Sequence, residues 1–204
     1  FYYGQRIRIL KGAGPMYLHD ISNNIFTAKK YKGDPAPQCR WLSKMEFGED
    51  CNLSLIEMCT HTGTHIDAPR HYLEDGKTID QLPLSRFYGP CTVVSIEGVL
   101  TGEDMEQILP FCKKKILFKG NGCAFLSQSA VFVLADYGVT LIGTDGLSIA
   151  QQDEEFTIHR ELFLRDVVIL EGLALEAVHD GDYTLAAFPL KLCGLEASPV
   201  RAVL

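Results

Sequence analysis

One stretch constrains this chain more than any other: His61-Thr-Gly-Thr-His65-Ile-Asp67-Ala-Pro-Arg70-His71. It gathers three of the chain's six histidines, with one carboxylate, a glycine and a proline between them. Imidazole nitrogen and carboxylate oxygen packed this closely suit a divalent transition metal. His65 and Asp67 are two apart, so in an extended segment both project to the same side. His61 can join them from across a turn at Gly63. A zinc-protease helix of the His-Glu-x-x-His kind is excluded, because Gly63 weakens a helix and Pro69 blocks its continuation. The expected scaffold is a loop leaving a strand, and the stretch reads as an active site. Histidines that merely satisfy buried hydrogen bonds or face solvent are the competing reading, which suits any one of them better than all four side chains together.

The rest of the chain narrows the setting. Its 204 residues, 47% of them hydrophobic, fit a single domain with a substantial core. A net charge of -7 argues against nucleic acid as the main partner and for a small molecule. Seven cysteines, at 39, 51, 59, 91, 112, 123 and 193, are odd in number, scattered and free of C-x-x-C pairs. They read as reduced, packed thiols, which points to the cytoplasm. The most apolar run, 130–142, is broken by Asp136 and falls short of the roughly 18 residues that span a bilayer, so no membrane segment is expected. Residues 1–15, with basic positions and Gly12-Ala-Gly14, read as a leader added for expression ahead of a domain at 16–204.

Along that domain, 17–21 is extended and leads into a Lys-, Pro- and Gly-rich loop at 23–37. Residues 52–60 alternate and read as a strand delivering His61 at its end. A polar, turn-rich stretch at 73–89 precedes a strand at 91–96. Thr101-Gly-Glu-Asp104 starts a helix that ends at Pro110. Strand 115–119, helix 127–137 closed by Gly138, and strand 139–143 make a βαβ unit. Lys119-Gly-Asn-Gly122 lacks the Gly-Lys-Ser/Thr ending of a phosphate loop, so nucleotide binding is not supported. The apolar strand 166–171 ends on Glu171, a carboxylate that is either exposed or buried with a partner such as a metal. Asp180-Gly-Asp182 is a tight turn, not a calcium loop, and strands follow at 183–188 and 200–204. His19 and His179 read as structural or solvated, and His159, by pattern alone, as a surface residue. These elements predict an α/β domain with a mixed sheet.

The 61–71 stretch also resembles, at every fixed position, the H-x-G-T-H-x-D-x-P-x-H signature of the metal-dependent cyclase family, whose members include bacterial kynurenine formamidases. The similarity extends to Asp20-Ile-Ser22, Gly143-Thr-Asp-Gly146, Ile169-Leu-Glu171-Gly172, and the tail from Pro189-Leu-Lys191 through Ala197-Ser-Pro-Val-Arg201, and so runs from Met16 onward. It implies a cyclase-like fold of swivelling β/β/α architecture, assembled as a homodimer or larger. It implies two metal sites, His61, His65 and Asp67 at one, with His159 and Glu171 joining Asp67 at the other. The cofactor is then a pair of Zn2+ ions, with Mn2+ as the alternative.

His71 lies outside that ligand set and is free to act as a general acid and base. Tyr31-Lys-Gly-Asp34 resembles the family's Trp-Pro-Gly-Asp element, so Tyr31 is expected beside the substrate; without the resemblance a surface turn is as good a reading. Arg70 stands where relatives often carry an apolar residue and is expected either to pair with a substrate carboxylate or to point into solvent. The implied reaction is hydrolysis of N-formyl-L-kynurenine to L-kynurenine and formate in tryptophan degradation. Another cyclic amide, imide or lactone, as in an isatin hydrolase, is the alternative substrate. Two readings from other classes stand beside it: a non-enzymatic metal-binding protein, which would have no need of His71, and a cysteine hydrolase using Cys59.

Overall fold

The computed structural model describes residues 17–204, and the expected leader at 1–15 lies outside them. In chain order the strands are β1 (Gln38–Ser43), β2 (Leu53–Glu57), β3 (His65–Asp67), β4 (Tyr88–Ser95), β5 (Gly98–Leu100), β6 (Lys115–Lys119), β7 (Ala124–Leu126), β8 (Leu141–Thr144), β9 (Val168–Glu171), β10 (Gly181–Ala186) and β11 (Ala197–Pro199). Three α-helices, α1 (Gly102–Ile108), α2 (Gln128–Asp136) and α3 (Glu155–Leu164), and five single 3-10 turns complete the set among the described residues. Seven strands form one sheet in the order β10-β4-β6-β8-β9-β3-β11. Its centre, β4-β6-β8-β9, is parallel, and β10, β3 and β11 join antiparallel at the two sides. The expected mixed sheet and its βαβ unit, β6-α2-β8, are both present.

Central parallel strands bury both faces, so their sequences run apolar without a break and alternate in which side they fill. Ile116 and Phe118 of β6, Ile142 of β8 and Ile169 of β9 pack under the helices, against residues such as Met105, Leu134 and Leu162. Leu117, Leu141, Val168 and Leu170 point the other way, onto Ile21, Phe87 and Leu204. The predicted start of α1 holds for the expected reason. The Asp104 amide donates to the Thr101 hydroxyl at 3.3 Å, and the Asp104 carboxylate accepts from the Thr101 amide at 2.7 Å, a reciprocal cap. No helix among the described residues is long and apolar enough to cross a membrane. All seven cysteines are free, but only Cys91 is buried and Cys39, Cys51, Cys123 and Cys193 are exposed, which corrects the expected packing of the thiols.

Two expectations are corrected. The strand expected at 52–60 is shorter, and β2 does not belong to the main sheet. It pairs with β1 in a separate two-stranded ribbon none of whose residues is buried. The residues that carry His61 are therefore a turn after this ribbon, while the sheet strand is β3 inside the motif itself. Helix α3 was not expected. Its N-cap, Glu154, makes no side-chain capping bond, and Gln151-Gln152-Asp153-Glu154 before it reads as loop. Its buried positions, Ile158, His159, Leu162 and Phe163, keep a helical spacing, but one of them is a histidine and the exposed Phe156 and Leu164 blur the period.

Candidate metal centre

Strand alternation builds the centre. Ile66 points into the core on the face away from the helices, so His65 and Asp67 on either side of it point toward α3. In the antiparallel pairing of β3 with β9, His65 lies opposite Glu171 and Ile66 opposite Leu170, which brings the Glu171 carboxylate to the same face. His159 enters from α3 and is buried at 3% exposure, which corrects the surface position its pattern suggested. Two donor sets result, His61, His65 and Asp67, and Asp67, His159 and Glu171, with the donor atoms of each within 4.8 Å of one another. Asp67 is common to both.

The distances fit that sharing. Asp67 Oδ1 lies 2.9 Å from His61 Nδ1 and 3.4 Å from His65 Nε2. Its Oδ2 turns toward His159 Nε2 at 4.0 Å, and that nitrogen is 3.2 Å from Glu171 Oε1. Neither oxygen of Asp67 accepts a hydrogen bond, although both are buried. A carboxylate removed from water and left without donors is costly unless a charge pairs with it. Its neighbours are imidazole nitrogens and a second carboxylate, a donor set that fits a divalent cation on either side.

The groups behind the donors hold them in place. His65 Nδ1 lies 3.0 Å from the Gly63 carbonyl and His159 Nδ1 2.9 Å from the Glu155 carbonyl. With Nδ1–H donated to a carbonyl, each ring turns its Nε2 lone pair inward. Glu171 Oε1 also accepts from the Ile149 amide at 2.9 Å. The Thr64 hydroxyl donates to the Gly172 carbonyl at 2.5 Å, locking the motif's turn onto the end of β9.

That lock needs glycine at 172. Its φ is +66°, and a Cβ there would lie 2.4 Å from the Gly63 carbonyl oxygen. Gly172→Ala should therefore cost about 2 kcal/mol or more, combining left-handed strain with overpacking against backbone. Denaturant unfolding of the variant checks this, and an unchanged midpoint would show that the turn yields freely.

Electrostatics among the protein's own groups follow the same geometry. Burial opposes charge on both Asp67 and His61, but the attraction between them wins. The imidazoles of His65 and His61 hold the Asp67 carboxyl below the usual carboxylate range, and Asp67 pushes His61 up to about 9. For His159, too, burial is outweighed by Glu171, and its pKa is raised. His71 differs. Burial dominates there and, together with the charges of His61 and His159, outweighs the opposing carboxylates of Asp67 and Glu171, so its pKa is lowered and the neutral ring is favoured.

His71 sits at the end of a 3-10 turn, Pro69–His71, with its ring centroid 4.2 Å from that of His61 and 6.3 Å from that of His159. It belongs to neither donor set, yet lines the same cleft of about 160 Å³. Tyr31 also lines it, donating its hydroxyl to Glu155 Oε2 at 2.6 Å, and that carboxylate drives the phenol up to about 12. Arg70 is not brought to the site: it is exposed and lines neither this cleft nor the larger cavity beside it. Successive side chains of a 3-10 turn diverge by about 120°, so turning His71 inward turns Arg70 out. Cys59 lines neither cavity. Sequence reasoning missed Glu155 and Glu196, whose carboxylates flank Tyr31 and His61. Only Glu196 had a signal, its place in the tail just before Ala197-Ser-Pro.

The comparisons with known proteins agree with this geometry. The family described as "Putative cyclase" matches residues 18–151. A curated kynurenine formamidase of Salinibacter ruber is 35% identical over 206 residues, covering 93% of this chain and 97% of that protein. The solved structure of a predicted metal-dependent hydrolase from Bacillus stearothermophilus superposes with a TM-score of 0.80 at 32% identity, covering 94% of this chain and 98% of that one. Isatin hydrolase A from Labrenzia aggregata shares the fold, with a TM-score of 0.76 at 20% identity over 92% of each chain. With the fold, the signature and the shared carboxylate in agreement, the chain is an enzyme and belongs to the cyclase family.

Proposed function

We propose that this enzyme hydrolyses an aryl formamide, N-formyl-L-kynurenine, to L-kynurenine and formate, with two divalent cations, Zn2+ or alternatively Mn2+, held on either side of Asp67. The observation that carries the reading is the shared, hydrogen-bond-free Asp67 carboxylate with His71, which neither donor set claims, in the same cleft. The likeness to the Salinibacter ruber kynurenine formamidase supports the choice of substrate. A protein that only stored metal would have no need of the half-buried, non-ligating imidazole.

Cations bound by these residues supply Lewis acidity, acidifying water and polarising a carbonyl. Everything else falls to the chain. His71 takes a proton from the water that attacks the formyl carbon, then delivers it to the arylamine nitrogen as the C–N bond breaks and formate leaves. Tyr31, fixed by Glu155, offers its ring to the flat arene. Through Tyr31, Gly63, Leu147, Ser148, Glu155 and Gly172 the cleft opens into a cavity of about 950 Å³, which has room for the amino-acid end of the substrate. Lys29 lines that cavity and can hold the carboxylate that outward-pointing Arg70 does not reach.

The test is an assay of the protein reconstituted with Zn2+ or Mn2+ on formyl arylamides, isatin-like imides and lactones. The formyl arylamide should give the highest kcat/KM. A higher value for the imide or the lactone would move the enzyme to that substrate and reject this one.

This reading extends to a cytoplasmic homodimer or larger homo-oligomer, supported by the free thiols and by the ribbon β1-β2. The ribbon exposes Trp41, Leu42, Leu53, Leu55 and Ile56, each at least 40% exposed. A lone two-stranded ribbon is at best marginal in water, so a second copy of the chain is the fitting cover. Light scattering should report a dimer or larger, and a monomer at micromolar concentration would overturn this.

A further inference from the structure

His61 is oriented differently from the other two imidazoles of the centre. His65 and His159 are each held by a backbone carbonyl on Nδ1 and present Nε2 inward. His61 presents Nδ1 inward, 2.9 Å from Asp67 Oδ1, and turns Nε2 outward. What meets that outer nitrogen is a carboxylate, Glu196 Oε1 at 3.4 Å. Glu196 is a side chain that the proposed reaction does not use.

We infer that Glu196 is a positioning residue: it fixes the tautomer and direction of His61 and thereby sets how tightly His61, His65 and Asp67 hold their cation.

Glu196 is built into this place from both ends. Its carbonyl accepts from the Ala68 amide at 2.8 Å, and the next residue, Ala197, pairs with Asp67 across the β11-β3 ladder. The backbone carrying Glu196 is therefore registered to the strand that carries Asp67. The Thr60 hydroxyl donates to its Oε1 at 2.6 Å, and Thr60 is the residue immediately before His61. A plain surface acid would sample many rotamers, whereas this one is anchored beside the ring it faces. A carboxylate at Nε2 keeps a proton there, so that the proton a cation displaces is the one on Nδ1, whose lone pair then points inward. It also makes the ring a stronger donor, as carboxylates behind metal-bound histidines do. Without it, His61 has no outer partner and can take either tautomer or turn over.

The inference rests on the metal reading of the site but not on the choice of substrate, so the test uses Zn2+ alone. In a Glu171→Gln background, which leaves the His61 set as the site under study, Zn2+ affinity is measured by competition with a chromophoric chelator. Glu196→Ala should weaken it by roughly 10- to 100-fold. Glu196→Gln, which keeps the shape and an acceptor for Thr60 but loses the charge, should weaken it less and carries the test if the alanine variant does not fold. Nitrogen-15 NMR of the histidine rings gives a second readout that a merely structural role would not move. In the Zn2+-loaded protein His61 should show Nδ1 holding the ion and a single proton on Nε2 with Glu196 present, and a mixture of Nδ1- and Nε2-bound rings in Glu196→Ala. Affinity unchanged within about twofold in both variants, with the tautomer kept, would overturn the inference while leaving the metal reading intact. Failure of the parent protein to bind Zn2+ would overturn both. Tight Zn2+ binding without formamide hydrolysis would remove only the proposed substrate.

Discussion

Asp67→Ala should leave the protein without metal at either site, and activity should fall to background. The expectation follows from position. One oxygen of Asp67 faces His61 and His65, the other faces His159 and Glu171, and each donor set is completed by that one side chain. Glu171→Ala should behave differently, emptying chiefly the site it shares with His159. Elemental analysis of the purified variants separates the two outcomes. Thermal melting gives an independent measure, because a ligand bound only by the folded state stabilises it in proportion to RT ln(1 + [L]/Kd). The melting temperature of the parent protein should climb as Zn2+ is added, and that of Asp67→Ala should not. Full metal content in Asp67→Ala would refute the ligand assignment.

His71→Ala should do the reverse, keeping the metal and losing turnover. A positioned proton-transfer group contributes roughly 10²- to 10⁴-fold, and His71 is the imidazole in the cleft that neither donor set claims. The parent protein should carry the matching pH signature. Burial lowers the His71 pKa below the ordinary 6.5, and a nearby cation acts in the same direction. The free base is then the main form at neutral pH. Activity should stay level from pH 7 upward with respect to this group and fall only as acid protonates it below pH 6.5. His71→Ala should lose that acid limb along with the rate. Equal loss of metal and activity in the variant would place His71 among the ligands instead.

The centre could be read from the sequence where its chemistry is local. His61, His65 and Asp67 lie within seven residues, and a period of two together with a glycine turn was enough to place them side by side. Glu171 was legible as a carboxylate ending an apolar strand. His159 was not, because its partners are brought to it by tertiary packing: it sits twelve residues before Glu171, on a helix whose start carries no side-chain cap. It came only from the family resemblance. The short strands β5, β7 and β11, three residues each, have no room to show a period. Arg70 shows the limit of reasoning from adjacency, since the residue next to an inward-facing side chain in a tight turn faces away from it.

Strand β3 has a consequence for how the chain finds its fold. It is three residues long, and its neighbours are distant in sequence, with Glu171 opposite His65 on one side and Pro199 on the other. Contacts of such separation close late and slowly, and three residues pin a register weakly. A slip by one would reverse both faces, putting Ile66 in the cleft and pressing His65 and Asp67 into apolar core. In that register no cation could be held. Metal affinity is thus available to one arrangement of the strand and denied to its nearest competitor, which widens the energy gap between native and misregistered chains. A cation held by these ligands would thereby favour the native register of the sheet over its nearest competitor.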